Sequence, residues 1–521
     1  MSEITIERAI LSLATLAQDD HQGRRSQDGR QAGTNRKEYV VHHNHPRVAA
    51  FLALAVTAPM TRAPAQKPAA ASKSAISIPF EKYTLPNGLT VVLSEEHSTP
   101  TVAVQVMYHV GSKNEVMGHT GFAHMFEHVM FTGSGHVPYG LHDKFTEGVG
   151  GQNNGSTWFD WTQYYQTDPS NYLETILWLE SDRMGFLLDS LDEAKFKAQR
   201  DIVKNERRQS YDNQPYRRDA EVLGIAMYPQ GHPYSWPTIG SMADLTAASV
   251  EDVKQFFRLY YAPNNATLSI VGDFNPAQTK AWISKYFSGI PRGKPITRPK
   301  VAPSPLAAEK RLTFEDRVQV PRLHIQWPTV SLQSEDQYAL NVLSDILTGS
   351  RIARLTKALV YDQQIATSIG ASQSTNEGVG EFDLIATPRP GHTLTELEDR
   401  ADSIIAILKR DGPTDDELKR AKAGLELSFL DGLQSNLTKA FQLGQDQTFF
   451  NDPSHSFTVD FPKTQAVTAA DVKRVANKYL GKARIVLSDV PLGKPELAAH
   501  ADKSTVVTDP FTEKATPETK P

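Results

Sequence analysis

The 521-residue chain contains no cysteine. Disulfides, thiolate metal sites, cysteine nucleophiles and a lipid anchor on cysteine are therefore excluded. Any metal bound here must take nitrogen and oxygen ligands from His, Asp and Glu. An excess of one charge is also lacking: 55 basic side chains stand against 60 acidic ones, a net charge of −5. Nothing in that balance draws nucleic acid or an anionic membrane, and neither is expected as a partner. Long apolar runs are missing too. The most apolar stretch, about ten residues inside RVAAFLALAVTAPMTRAPAQ (47–66), is too short to cross a bilayer, and no membrane anchor is expected. It has an arginine ahead of it and Ala-Pro-Ala before Gln66, so it reads as a secretory signal (47–65) cleaved after Ala65. A short buried helix is the alternative, which the Pro/Ala/Lys-rich stretch after it disfavours. The signal reading places the mature protein in the periplasm or outside the cell. Residues 1–46 form an unusually long polar leader, which a translation start nearer Val40 or Val41 would explain, and 66–75 is a linker.

From Ile76 onward the texture is globular. TLPNGLTVVLSEE (84–96) reads as strand, Asn-Gly turn, strand. TVAVQVMYHV (101–110), FDWTQYYQT (159–167) and ATLSIVGDF (266–274) read as further strands, while 170–187 and 192–209 carry helical periodicity. The mixture is α+β. Five prolines in 290–308 mark a linker (291–308) between a domain over 76–290 and a second over 309–491. The polar residues 492–521, with scattered Pro and Thr, are expected to be a disordered tail.

The candidate chemistry lies in GHTGFAHMFEHVMFTGSG (118–135). Positions i, i+3 and i+4 of a helix share a face, so His124, Glu127 and His128 project together. Two imidazoles at this spacing suit zinc, and the order His-x-x-Glu-His is the inverzincin signature. Zinc polarises a carbonyl and lowers the pKa of a bound water, and Glu127 is placed to take that water's proton as general base. An ordinary core helix holding two histidines is the competing reading. A possible internal repeat bears on it. RLHIQWPTV followed by QYALNVLSDILTGS (322–350) echoes the first half. Aligning the two Thr-Gly-Ser tripeptides sets Leu340, Leu343 and Ser344 against His124, Glu127 and His128. If the repeat is real, the fold does not require the polar trio, and function does.

A third ligand must come from elsewhere in the chain. In FKAQRDIVKNERRQ, residues Phe196, Gln199, Ile202, Val203 and Glu206 fall on one helical stripe, which makes Glu206 the carboxylate turned inward. Its competing role is an ion pair with Arg207 or Arg208.

These motifs together resemble the pitrilysin/insulinase family of zinc peptidases, most closely the small branch that includes the mitochondrial processing peptidase. GHTGFAHMFEHVMFTGS resembles the metal helix, GGQNNGST (150–157) the segment Gly-Gly-x-x-Asn-Ala-x-Thr, and VKNERR (203–208) the segment with the third ligand, 78 positions after His128. HPYSWPTIG (232–240) and YYAPNNATLSIVGDF (260–274) also fit. The resemblance spans roughly residues 76–490 and is weaker in the second half. It implies zinc held by His124, His128 and Glu206, with Glu127 as general base, and substrate backbone aligned along the strand bearing Asn154 and Gly155. It further implies two homologous domains, each a mostly antiparallel sheet with helices on one face, arranged as a clamshell on dimerisation. The enclosed chamber would admit short or unfolded peptides. A non-catalytic structural or peptide-binding subunit of the same fold is the alternative.

Three positions depart from the family pattern. Gly155 stands where alanine is usual, and Gln199 where many relatives have a second glutamate. Setting Arg354 on the first arginine of the second domain puts Val360 at a second arginine and Thr367 at a tyrosine, the pair that grips substrate in active relatives. The resemblance therefore implies a zinc-bearing subunit of a heterodimer whose homologous non-zinc partner supplies Arg and Tyr. A homodimer, or substitution by Tyr361, is the alternative.

Overall fold

The computed structural model describes residues 76–511. The leader, signal segment and first linker expected at 1–46, 47–65 and 66–75 lie outside the described residues. In the first half, β1 (Glu81–Thr84) and β2 (Thr90–Glu95) form the hairpin expected around Asn87-Gly88. Gly88 turns there with φ 95, a left-handed value that favours glycine. After β3 (Thr101–Tyr108) come α1 (Phe122–Val129), α2 (Leu141–Gly148), β4 (Gln152–Thr157) and β5 (Thr162–Pro169). Helices α3 (Leu173–Ser190), α4 (Glu193–Arg207), α5 (Asp219–Met227) and α6 (Val250–Tyr260) then lead to β6 (Ala266–Gly272) and α7 (Pro276–Phe287). The proline-rich segment 291–308 has neither helix nor strand.

The second half repeats this plan. β7 (Lys310–Asp316) and β8 (Arg322–Pro328) precede α8 (Asp336–Thr348), β9 (Ala366–Thr375) and β10 (Gly380–Pro388). Then come α9 (Leu394–Asp411), α10 (Asp415–Gly432), α11 (Asn436–Phe450), α12 (Ala469–Tyr479), β11 (Ile485–Pro491) and β12 (Thr505–Val507). The two sheets run β1-β2-β6-β3-β5-β4 and β12-β7-β11-β8-β10-β9. Leaving the first strand of each aside, they match position by position. The β2–β6 and β7–β11 pairs are parallel and the pairs beyond them antiparallel. The chain is α+β with two homologous halves, and the repeat suspected from the two Thr-Gly-Ser tripeptides is real. Leu340 and Leu343 of α8 are fully buried in the second core, where α1 carries His124 and Glu127.

Each half packs its own helices on one face of its sheet. In the first half, Val104 and Val106 of β3 meet Phe126 of α1, Leu177 of α3, Val203 of α4 and Phe287 of α7. The opposite face is covered by the other half. Ala440 and Leu443 of α11 sit on Val92, Ala103 and Val271 of the first sheet. Val222, Leu223 and Met227 of α5 sit on Phe314, Ile485 and Leu487 of the second. Strands buried on both faces read as continuous apolar runs rather than alternating ones, as 91–93 of β2 and 102–104 of β3 do.

The structure corrects the expectation of a disordered tail over 492–521. Up to Phe511 the chain is ordered: β12 extends the second sheet beside β7, and Ala498 and Ala499 are buried. Beyond β12 the chain returns to the first half, where Met242 N donates to Phe511 O at 3.2 Å and Asp509 lies 4.0 Å from the Arg207 guanidinium. Polar composition concealed this because what holds the segment is main-chain pairing and one buried charge, neither of which leaves an apolar pattern. Residues 512–521 lie outside the described residues.

Candidate metal centre

Helix α1 starts in a tight corner. Gly121 caps it with φ 90, and a Cβ there would stand 2.7 Å from Ile239 O, so the site requires glycine. The Glu115 carboxyl accepts from Gly121 N at 2.9 Å and Ala123 N at 2.8 Å, satisfying free N–H groups of the first turn. Phe122, Met125, Phe126 and Val129 bury one face in the core. The remaining face carries the polar trio.

Helix α4 brings the third residue. Its N-cap, Asp192, accepts from Lys195 N at 2.8 Å, and Phe196, Gln199 and Val203 are buried as expected. Ile202, counted on the same stripe, is instead 46% exposed, so the inward face is narrower than the periodicity suggested. At the end of α4, Arg207 is completely buried. It makes a two-pronged ion pair with Glu221 at 2.8 and 2.9 Å and donates to Gly240 O at 2.9 Å. This pins the last turn and commits Arg207 elsewhere, leaving Glu206 turned toward α1.

Glu206 Oε2 lies 2.9 Å from His128 Nε2 and Oε1 lies 3.7 Å from His124 Nε2. One ligand atom from each of the three residues falls within 4.8 Å of the others. Burial pushes the His124 pKa down to about 4, which keeps the imidazole neutral and able to ligate. Burial pushes Glu206 up, but its contacts with the two histidines, the hydrogen bond from His128 foremost, outweigh it and hold the carboxyl below its ordinary range. Two imidazole nitrogens and one carboxylate oxygen are the donor types and number that the protein supplies in a catalytic zinc site. The residues present fit a zinc ion.

Glu127 sits beside this group on α1. Burial raises its pKa, partly offset by a hydrogen bond from Thr157 Oγ1 to its Oε2 at 2.8 Å. Thr157 ends β4, the edge strand of the first sheet. Sequence reasoning gave no role to Thr157, although it closes GGQNNGST and alternates with Gly155 onto one strand face. Asn154 is exposed on the same strand, where its carboxamide oxygen accepts the N–H of Gly155 at 2.8 Å. Gly155 is paired in register with Tyr164 of β5. Gln199 is buried on α4, two turns ahead of Glu206.

In the second half, Arg354 is anchored on Glu417 at 2.6 and 2.7 Å and on Gly412 O. Val360 packs against the second core, and Thr367 Oγ1 donates to Pro388 O at 3.2 Å. A guanidinium is nonetheless close to both positions. Arg389 donates to Ala366 O at 3.2 Å and to Val360 O at 3.4 Å, and Tyr361 is 48% exposed.

An α+β chain of two matched sheets, with an inverted His-x-x-Glu-His helix and a glutamate converging from the third helix after it, has the framework of a metallopeptidase. Residues 90–233 match the model for insulinase (peptidase family M16), and 247–425 match that for the peptidase M16 inactive domain. The chain belongs to peptidase family M16. It is 31% identical over 407 residues to the zinc protease PqqE of Helicobacter pylori, covering 77% of this chain and 90% of that protein. It is 24% identical over 421 residues to the mitochondrial-processing peptidase subunit beta of Lentinula edodes, covering 77% and 88%. Among solved structures, a protease from Helicobacter pylori superposes with a TM-score of 0.74 at 28% identity, over 80% of this chain and all of that one. A putative M16-like peptidase from Alicyclobacillus acidocaldarius shares the fold, with a TM-score of 0.69 at 20% identity over 80% of this chain and all of that one.

Proposed function

We propose that this chain is a zinc-dependent endopeptidase acting on short or unfolded peptides, and that it works in the periplasm or outside the cell. The observation that carries the reading is the convergence of His124, His128 and Glu206 with Glu127 held beside them, next to an edge strand. His124, His128 and Glu206 would hold the metal. Bound there, zinc would polarise the scissile carbonyl and make a water acidic enough to attack it. Glu127 accepts the proton of the attacking water and passes it to the leaving amine. β4, carrying Asn154 and Gly155, lies at the edge of its sheet, and an extended peptide adds to such an edge by main-chain pairing. An inactive subunit of the same fold is less well supported. The second half illustrates what α1's counterpart looks like without a site: leucines fill the core.

The site alone lacks a gripping pair at Val360 and Thr367. The first reading is that a homologous subunit brings Arg and Tyr over the metal and encloses the chamber. Arg389, next to Val360, supports a second: a homodimer in which each copy offers Arg389 and Tyr361 to the other. The reaction itself is tested with two variants. Glu127→Gln is expected to keep its zinc and lose at least about a hundredfold in kcat, whereas Glu206→Gln loses the metal. Zinc analysis with peptide hydrolysis separates the two, and an undiminished Glu127→Gln enzyme would remove Glu127 from the mechanism.

A further inference from the structure

β4 touches the base as well as bordering the site. Side chains at 155 and 157 share one face of the strand, and both positions meet Glu127. Thr157 Oγ1 donates to Glu127 Oε2 at 2.8 Å and, among the described residues, is the one hydrogen-bond donor to that carboxylate. A Cβ on Gly155 would stand 2.8 Å from Glu127 Cγ and 3.3 Å from Phe131 Cε2, so the glutamate stem lies in the space that glycine leaves. The base is thus shaped by Gly155 along its stem and by Thr157 at its tip. β4 itself is weakly held. It pairs with β5 on one side only and has a glycine in its interior, and neither feature favours rigidity.

We propose that Thr157 is the positioning residue for Glu127, and that β4 thereby couples peptide docking to the placement of the base. This rests on the peptidase reading above. A peptide paired along the open side of β4 adds a second ladder to a strand that has one. The stiffened strand then holds Thr157, and through it the Glu127 carboxylate, toward the attacking water. Coupling of this kind makes the base competent when a main chain is aligned and less so when the edge is empty.

The test compares wild type, Thr157→Val and Thr157→Ser, using a quenched-fluorescence peptide and its backbone N-methylated counterpart, which cannot complete the ladder. Thr157→Val has nearly the same shape, and it is expected to lower kcat roughly ten- to hundredfold, the worth of a hydrogen bond to a charged group. KM and zinc content stay at wild-type values, and Thr157→Ser recovers kcat to within a few-fold. N-methylation should lower kcat in wild type but add little to the loss in Thr157→Val, because both act through one tether. Crystal structures give a readout independent of turnover: in Thr157→Val, Glu127 leaves β4 while His124, His128 and Glu206 keep their places. Wild-type kcat in Thr157→Val, equal losses in Val and Ser, or an unmoved Glu127 overturns the tether. Additive losses on N-methylation overturn the coupling. If wild type cleaves no peptide even with a partner subunit, the peptidase reading fails, and the Thr157→Val structure still decides whether Glu127 is tethered.

Discussion

Glu206, half-buried, and His324, buried, are two polar residues with opposite histories. Glu206 could be picked from the sequence because it lies in line with Phe196, Gln199 and Val203, and a residue on a buried stripe must point inward. Its competing pairing with Arg207 is removed for a reason outside that stripe: Glu221, from α5, takes Arg207. His324 appeared only as one letter of an apolar strand. In the structure it is buried between Asp219 at 3.1 Å and Asp383 at 2.9 Å, joining the two halves. Burial alone pushes its pKa down, yet the two carboxylates outweigh it and raise the value from 6.5 to about 10. A folded-state value above the unfolded one means that its stabilisation is complete below about pH 6.5 and fades as the pH rises toward 10. His324→Gln is therefore expected to cost more stability near pH 6 than near pH 10, measured by urea unfolding at both. A penalty equal at the two pH values would show that no buried imidazolium is present.

At the scale of elements, apolar character located β2, β3 and β6, which are buried on both faces, and helical period located α3 and α4. The exchange of helices between halves left no such trace. α11 covers the far face of the first sheet, where Gly444 packs against two buried polar groups. A Cβ there would stand 2.1 Å from Gln105 Oε1 and 3.0 Å from Ser269 Oγ. Gln105 is not free to give way, since its Nε2 donates to Gln163 Oε1 at 2.7 Å within the core. Gly444→Ala should lower stability by about 1–3 kcal/mol through overpacking. Thermal or urea unfolding would reveal this, and an unchanged midpoint would mean that α11 does not seat as described. In sequence, a mid-helix glycine is only a weak helix residue; its reason lies on a strand more than three hundred positions away.

For the whole molecule, the open question is what stands opposite the metal. The heterodimer and homodimer readings make different predictions for one residue. If copies of this chain serve each other, Arg389→Ala should lower kcat/KM by on the order of tenfold or more, the cost of removing a charged contact to the transition state, with zinc content unchanged. If a different subunit supplies the pair, Arg389→Ala is silent, and activity rises when the homologous Arg/Tyr-bearing chain is added. Light scattering of the purified chain, with and without that partner, reports the assembly directly.

Sequence alone determined the chemistry that is local to one helix or strand. Helical spacing was enough to put His124, Glu127 and His128 on one face, whereas the suggestion that the fold does not require them rested on a repeat that the matching sheets established. Tertiary structure decided everything that depends on segments meeting. Those were the approach of Glu206 to the histidines, the hold of Thr157 on Glu127, the exchange of α5 and α11, and the return of 492–511 to the second sheet and Arg207. The reason is physical. Periodicity records which way a side chain faces within its own element, but a hydrogen bond or a buried ion pair between elements is set by packing. A polar residue committed to such a contact reads in sequence like one that faces water.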